Sequence, residues 1–232
     1  MKYFGNGLSE LHKELNTIIR KADKLEEAKT LFFELHSKLH VSSMTGAEQN
    51  ETDSLLGDLM PSEYRIMPTS KDETIAWVLW HIARIEDLTM GILVDGGGQV
   101  FDSRWKRQLN VHISDTGNAL SDDEIMELSA GLDMKELIAY RNAVGQRTQD
   151  IVKSLSADDM KRRVSAQGLE AVKQSGGVTD QEESLWLLDF WEKKDVAGLL
   201  LMPPTRHVIL HLNDCGKWKQ HIRDNKKCFR RA

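Results

Sequence analysis

Only two cysteines occur in 232 residues, Cys215 and Cys228, thirteen positions apart (228 − 215). A helix running through both would hold them too far apart for a disulfide. Reduced thiols, and with them a cytoplasmic setting, are therefore the expectation. Prolines (four) and tyrosines (three) are scarce as well, and few stretches alternate Val or Thr with polar residues, which leans the fold towards all-α. There is no excess of positive charge: the formal net charge is −5, against the basic surface that nucleic-acid binding requires. No run approaches the roughly 18 uninterrupted apolar residues of a membrane span. The opening residues, Met1 to Gly7, carry no apolar signal-peptide core. The one locally basic stretch is Lys217, Lys219, Arg223, Lys226, Lys227, Arg230 and Arg231. It reads as a solvated helix end, where cations suit the dipole, rather than as a binding patch.

What is present describes one soluble domain over residues 1–232, with 40% apolar and 29% charged residues. Gaps of three and four between Leu8, Leu11, Leu15, Ile18, Ala22, Leu25, Ala28, Phe32, Leu35 and Leu39 predict one long amphipathic helix, or two in succession. His36 and His40 flank that stripe and are expected on a solvated face. Residues 42–70 read as a connection with one helical turn at Ser54 to Met60. A second helix, entered through Thr69 to Glu73, is apolar nearly all round from Thr74 and stops at Asp95-Gly96-Gly97-Gly98; it should be central. Residues 99–132 look irregular apart from a short helix after Ser121. A third long helix runs from about Asp133 to Leu155, and Gly168 to Asp180 reads as a surface loop. Residues 184–201 form one or two short apolar helices. A fourth long helix runs from about Pro204 to Asn225, since proline in the first turn loses no hydrogen bond. The sum is an all-α, up-down four-helix bundle with long connections and extra short helices.

The chemistry gathers near the C-terminus. His207, His211 and Cys215 are four apart, so on a helix they form one row of transition-metal donors. His81 lies on the second helix, on the face of Trp77, Ile85, Leu88 and Ile92. A lone histidine there is more often a hydrogen-bonded core residue; the facing pair shifts the balance to a metal site with an open position. The spacing excludes rivals. No histidine is preceded by Glu at the third position before it, which removes carboxylate-bridged di-iron bundles; His-Glu-x-x-His and Cys-x-x-Cys are absent too.

The segment Trp80-His81-Ile82-Ala83-Arg84-Ile85-Glu86-Asp87 resembles the DinB-like (DinB/maleylpyruvate isomerase-like) superfamily. So do Tyr140-Arg141-Asn142-Ala143-Val144, Leu155-Ser156-Ala157-Asp158-Asp159-Met160 and the late His-x-x-x-His, a likeness covering residues 25–225. The resemblance implies a four-helix bundle, often a homodimer, with one divalent metal ion (Zn, Ni, Fe or Mn) on three histidines. One matches His81, and two come from the last helix, four apart. It also implies a small-molecule substrate such as a low-molecular-weight thiol, in a metal-dependent transferase, isomerase or hydrolase-like reaction. Two registers stay open on the last helix. His207 and His211 keep three imidazoles, whereas the longer row of many relatives would use His211 and Cys215. Cys215-Gly216-Lys217-Trp218 replaces the family's His-Arg-Gly-Gln ending. The ligand set is taken as His81, His207 and His211, with Glu86, Asp87 or Asp214 orienting an imidazole from behind. The competing reading is a non-catalytic bundle with a degenerate site, in which Trp77, Trp80 and Met90 pack round a hydrogen-bonded His81. A third is a binding module using a pocket between the second and fourth helices.

Overall fold

Gly7, at φ 81° in the left-handed region, releases the chain into α1 (Leu8–Ile18). Lys21 is extended and a tight turn at Ala22–Lys24 follows, so the stripe of residues 8–40 divides into α1 and α2 (Leu25–Lys38), which pack on each other. The computed structural model describes residues 4–224 and 227–231. α3 (Glu51–Leu56) begins earlier than the apolar pattern suggests. Asn50 and Asp53 form a capping box, and satisfying those first amides fixes the start. After the short strand β1 (Ile66–Met67) comes α4 (Ile75–Asp87), capped by Thr74, whose hydroxyl accepts from the Trp77 amide at 3.0 Å. α4 widens into a π-helical segment, Leu88–Val94, and every residue from Ile75 to Val94 is buried. The helix is central, as its all-round apolar surface demands. Trp80 lies wholly inside; burying a tryptophan's 150–250 Å² removes about 4–6 kcal/mol of unfavourable exposure.

Two expected loops are helical. α5 (Ser103–Gln108) starts where Asp102 caps the amides of Arg104 and Trp105. α8 (Ala166–Gln174) starts where Ser165 caps Gly168 and runs into the stretch from Gly168 expected to be a surface loop. Between them lie α6 (Asp122–Gly131), on a Ser121–Glu124 capping box, and α7 (Met134–Ser154), capped by Asp133. α9 (Glu182–Glu192) and α10 (Val196–Leu200) follow. A second π-helical segment, Met202–His207, carries Pro203 and Pro204 and runs directly into α11 (Val208–Arg223). The expected end at Asn225 lies outside the described residues.

α4 packs against α7 and α11, and α2 packs against α7, which makes the four-helix bundle. Among the described residues the fold is all-α apart from one antiparallel strand pair, in which β2 (Arg230–Arg231) returns to β1. The basic tail is therefore not simply solvated. Lys219 and Arg223 pair with Asp58, Arg223 also holds Glu63, and Arg230 pairs with Asp122 and Asp123. Among the described residues no helix is long and apolar enough to cross a membrane.

Candidate metal centre

Four side chains on one face of α4 donate to four consecutive backbone carbonyls of the loop before α6. Trp77 Nε1 meets the Gly117 carbonyl at 3.1 Å, and Trp80 Nε1 meets Asp115 at 3.1 Å. His81 Nδ1 meets Thr116 at 2.8 Å, and Arg84 Nε meets Ser114 at 3.0 Å. Positions 77, 80, 81 and 84 form one helical face, so the loop is laid along the helix like a strap. Gly117 is required there. Its φ is 76°, and a Cβ would stand 2.8 Å from Trp77 Nε1.

The strap decides the chemistry of His81. A carbonyl only accepts, so Nδ1 carries the proton and Nε2 presents a lone pair to the interior. His81 Nε2 stands 3.1 Å from His207 Nε2, which is 3.1 Å from His211 Nε2. Three ligand nitrogens thus converge, all within 4.8 Å of one another. Nitrogens on a tetrahedral ion at 2.0–2.1 Å stand about 3.3 Å apart, so the spacing suits a metal ion. Without one the arrangement is frustrated. A neutral His207 has one N–H to share between two facing nitrogens, and its buried Nδ1 has no hydrogen-bond partner. The donor set therefore fits a divalent ion. The π-helical segment ends at His207, and His211 follows one α-turn later, which brings both rings to the same point.

Cys215 is not part of this cluster. It is fully buried two turns beyond His207, and burial pushes its thiol well above the ordinary range, which disfavours the thiolate a metal or an electrophile needs. His207, not Cys215, stands beside His81. The carboxylates expected behind the imidazoles are used elsewhere. Glu86 accepts from His36 at 2.8 Å; Asp87 binds Arg84 and Tyr140; Asp214 pairs with Lys217 at the surface. Five and six residues beyond His81 point to other faces of the helix, so the orienting partner is the Thr116 carbonyl. His36 and His40 are not solvated either: both are 0% exposed and turned towards Glu86, His36 from α2 and His40 from just past its C-terminal end.

Beside the three histidines lies a cavity of about 310 Å³ walled by Trp77, Trp186, Phe190, Trp191, Met202 and Pro203. Its one amide is Asn118, whose Oδ1 accepts from the Thr116 hydroxyl at 2.6 Å, leaving the amide N–H groups as donors. No lining residue carries a carboxylate, ammonium or guanidinium group. The aromatic walls of α9 were visible in the sequence only as apolar helix, and Asn118 only as loop.

Burial holds the imidazoles neutral. It lowers His81 to about 3, with the neighbouring His211 adding to the effect, and His40 to about 3, with Arg141 adding. His207 and His211 are also lowered, chiefly by burial. The unfolded chain takes up protons near pH 6.5 where the native chain does not, so stability falls as pH drops from about 6.5 towards 3. Each such histidine contributes a slope of about 1.4 kcal/mol per pH unit in that window. Urea midpoints of chelated protein at pH 7, 6, 5 and 4 should fall steadily; a flat profile would mean that the imidazoles are charged or exposed.

No curated protein matches the chain. A family model described as the DinB superfamily matches residues 44–183, from just before α3 to the start of α9. The matched stretch includes His81 and ends before His207 and His211. It covers more than half of the sequence and carries the strap, α4 and α7, and on that ground the chain belongs to the DinB superfamily.

Proposed function

We propose that His81, His207 and His211 hold one divalent ion (Zn, Ni, Fe or Mn) and that the adjoining cavity receives a small molecule for metal-dependent chemistry. The observation that carries this reading is the convergence of the three Nε2 atoms, with the His81 lone pair aimed inward by its Nδ1–H···O=C bond to Thr116. When bound, such an ion polarises a substrate oxygen or lowers the pKa of a thiol or water.

The chain's own residues do the rest. Trp77 stacks on the His81 ring at 4.7 Å with 8° between planes, holding the imidazole against rotation. Trp186, Phe190 and Trp191 exclude water and suit the apolar body of a ligand. Asn118 offers the hydrogen bond that would fix a polar head. With no charged side chain in its lining, the cavity would take its charge from the ion, which suits a ligand with an apolar body and one ionisable donor, and transfer involving a low-molecular-weight thiol is the reaction class to try first.

The test is metal content. Protein purified without chelator should carry one EDTA-exchangeable equivalent, and His81→Ala should carry none. An exchangeable equivalent that survives in His81→Ala, or none in the parent protein after incubation with zinc, would leave the ordinary-core reading.

A further inference from the structure

We propose that His36, His40 and Glu86 form a second, closed site for a divalent cation such as zinc, separate from the three-histidine centre. Glu86 lies five residues beyond His81, about 140° round α4, and so faces α2 and α7 rather than the cavity. His36 Nε2 is 2.8 Å from Glu86 Oε1, and His40 Nε2 is 3.4 Å from Glu86 Oε2. One donor atom from each of the three lies within 4.8 Å of the others. Two imidazoles and a carboxylate are a ligand set that zinc accepts.

The polar groups here are under-used. Both histidines and Glu86 are buried, yet His36 Nδ1, His40 Nδ1 and His40 Nε2 make no hydrogen bond. A neutral imidazole always carries one N–H, and the acceptor His40 meets is Glu86 Oε2 at 3.4 Å, beyond the usual N–H···O range, so that donor is poorly satisfied. An ion bound through His40 Nε2 would use that nitrogen's lone pair. The surroundings are shaped for the ring. Gly145 stands in the middle of α7, where glycine is disfavoured, and a Cβ there would stand 2.7 Å from His40 Cε1. Phe32 stacks on His36 with centroids 5.3 Å apart and 14° between planes, closing the other side.

Charge defines what the site depends on. Arg141 of α7, which donates to the Leu39 carbonyl at 2.6 Å, is the cation that acts on this cluster and opposes a second positive charge. Binding therefore rests on the Glu86 carboxylate, and an amide at position 86 would keep the shape and lose the ion. The groups are sealed from solvent, so the ion enters during folding and leaves only on unfolding.

The experiment removes the other site and leaves this one untouched. His207→Ala/His211→Ala protein is unfolded, refolded with a small excess of zinc, and passed through EDTA before metal analysis. One retained equivalent per chain, released only on denaturation, is the expected result. No retained zinc overturns the proposal and leaves a hydrogen-bonded core triad only. Cobalt refolded into the same variant should give the visible absorption of a low-coordinate Co²⁺ centre. Adding Glu86→Gln should abolish both signals, and metal retained in that variant overturns the assignment to Glu86. None of these readouts depends on whether the three-histidine centre binds metal.

Discussion

Replacing Asp87 with alanine is expected to destabilise the protein by about 3–5 kcal/mol, the cost of leaving a buried charge without its partner. Asp87 is buried, and its carboxylate accepts four hydrogen bonds. Three reach Oδ2, from Arg84 Nη1 at 2.9 Å, Tyr140 Oη at 2.6 Å and the Phe101 amide at 2.9 Å. The Val100 amide meets Oδ1 at 2.6 Å. Without it the Arg84 guanidinium remains wholly inside, over the Phe101 ring at 4.4 Å, with only neutral partners such as Gln99. Burial, the largest influence on the Tyr140 phenol, raises its pKa and so opposes its taking over as the anion. Denaturant unfolding measures the loss. Asp87→Leu combined with Arg84→Met should be less damaging than Asp87→Ala alone, since removing both charges leaves none uncompensated. A loss below about 1 kcal/mol for the single variant would show that water reaches Arg84. The damage should extend to the metal centre, because Arg84 also holds the Ser114 carbonyl at one end of the strap that orients His81.

The second large effect separates the two registers on α11. His207→Ala should lower affinity at the three-histidine centre by at least about 100-fold, more than loss of an outer-shell partner costs. Cys215→Ala should leave that affinity unchanged. A ligand present at about 1,000 times its dissociation constant stabilises by about 4 kcal/mol, or roughly 10 °C in Tm for a chain of this size. In a Glu86→Gln background, which removes the second site, zinc titrations followed by thermal unfolding should show that shift with the three histidines intact and in Cys215→Ala, and lose it in His207→Ala. The reverse pattern would place the thiol in the coordination shell.

Much of the fold could be read from the 3.6-residue period. The long helices, the centrality of α4, the Ser121 start of α6 and the break at Asp95-Gly96 all follow from apolar spacing and caps. The misreadings have local causes. α5 and α8 are short, and their start signals, Asp102 and Ser165, compete with polar surroundings that look like loop. His36 and His40 sit at the edge of an apolar stripe, where sequence cannot say whether the flank meets water or another helix. Glu86 is the clue: a carboxylate inside a run that is apolar all round must find a buried partner, and His36 on α2 and His40 just past its end supply it. Residue type, spacing and resemblance together point to the His81–His207–His211 triad. Its orientation was not legible, because it depends on carbonyls more than thirty residues away at Ser114–Gly117. The choice between His207 and Cys215 likewise depends on how α11 is rotated against α4, which packing decides.

The most direct measurement is X-ray diffraction at the zinc absorption edge from crystals grown with zinc. An anomalous peak equidistant from the Nε2 atoms of His81, His207 and His211, with the His81 Nδ1 still on the Thr116 carbonyl, is the predicted result. A zinc peak at Cys215, or three imidazoles packed against one another with no peak between them, would contradict the account.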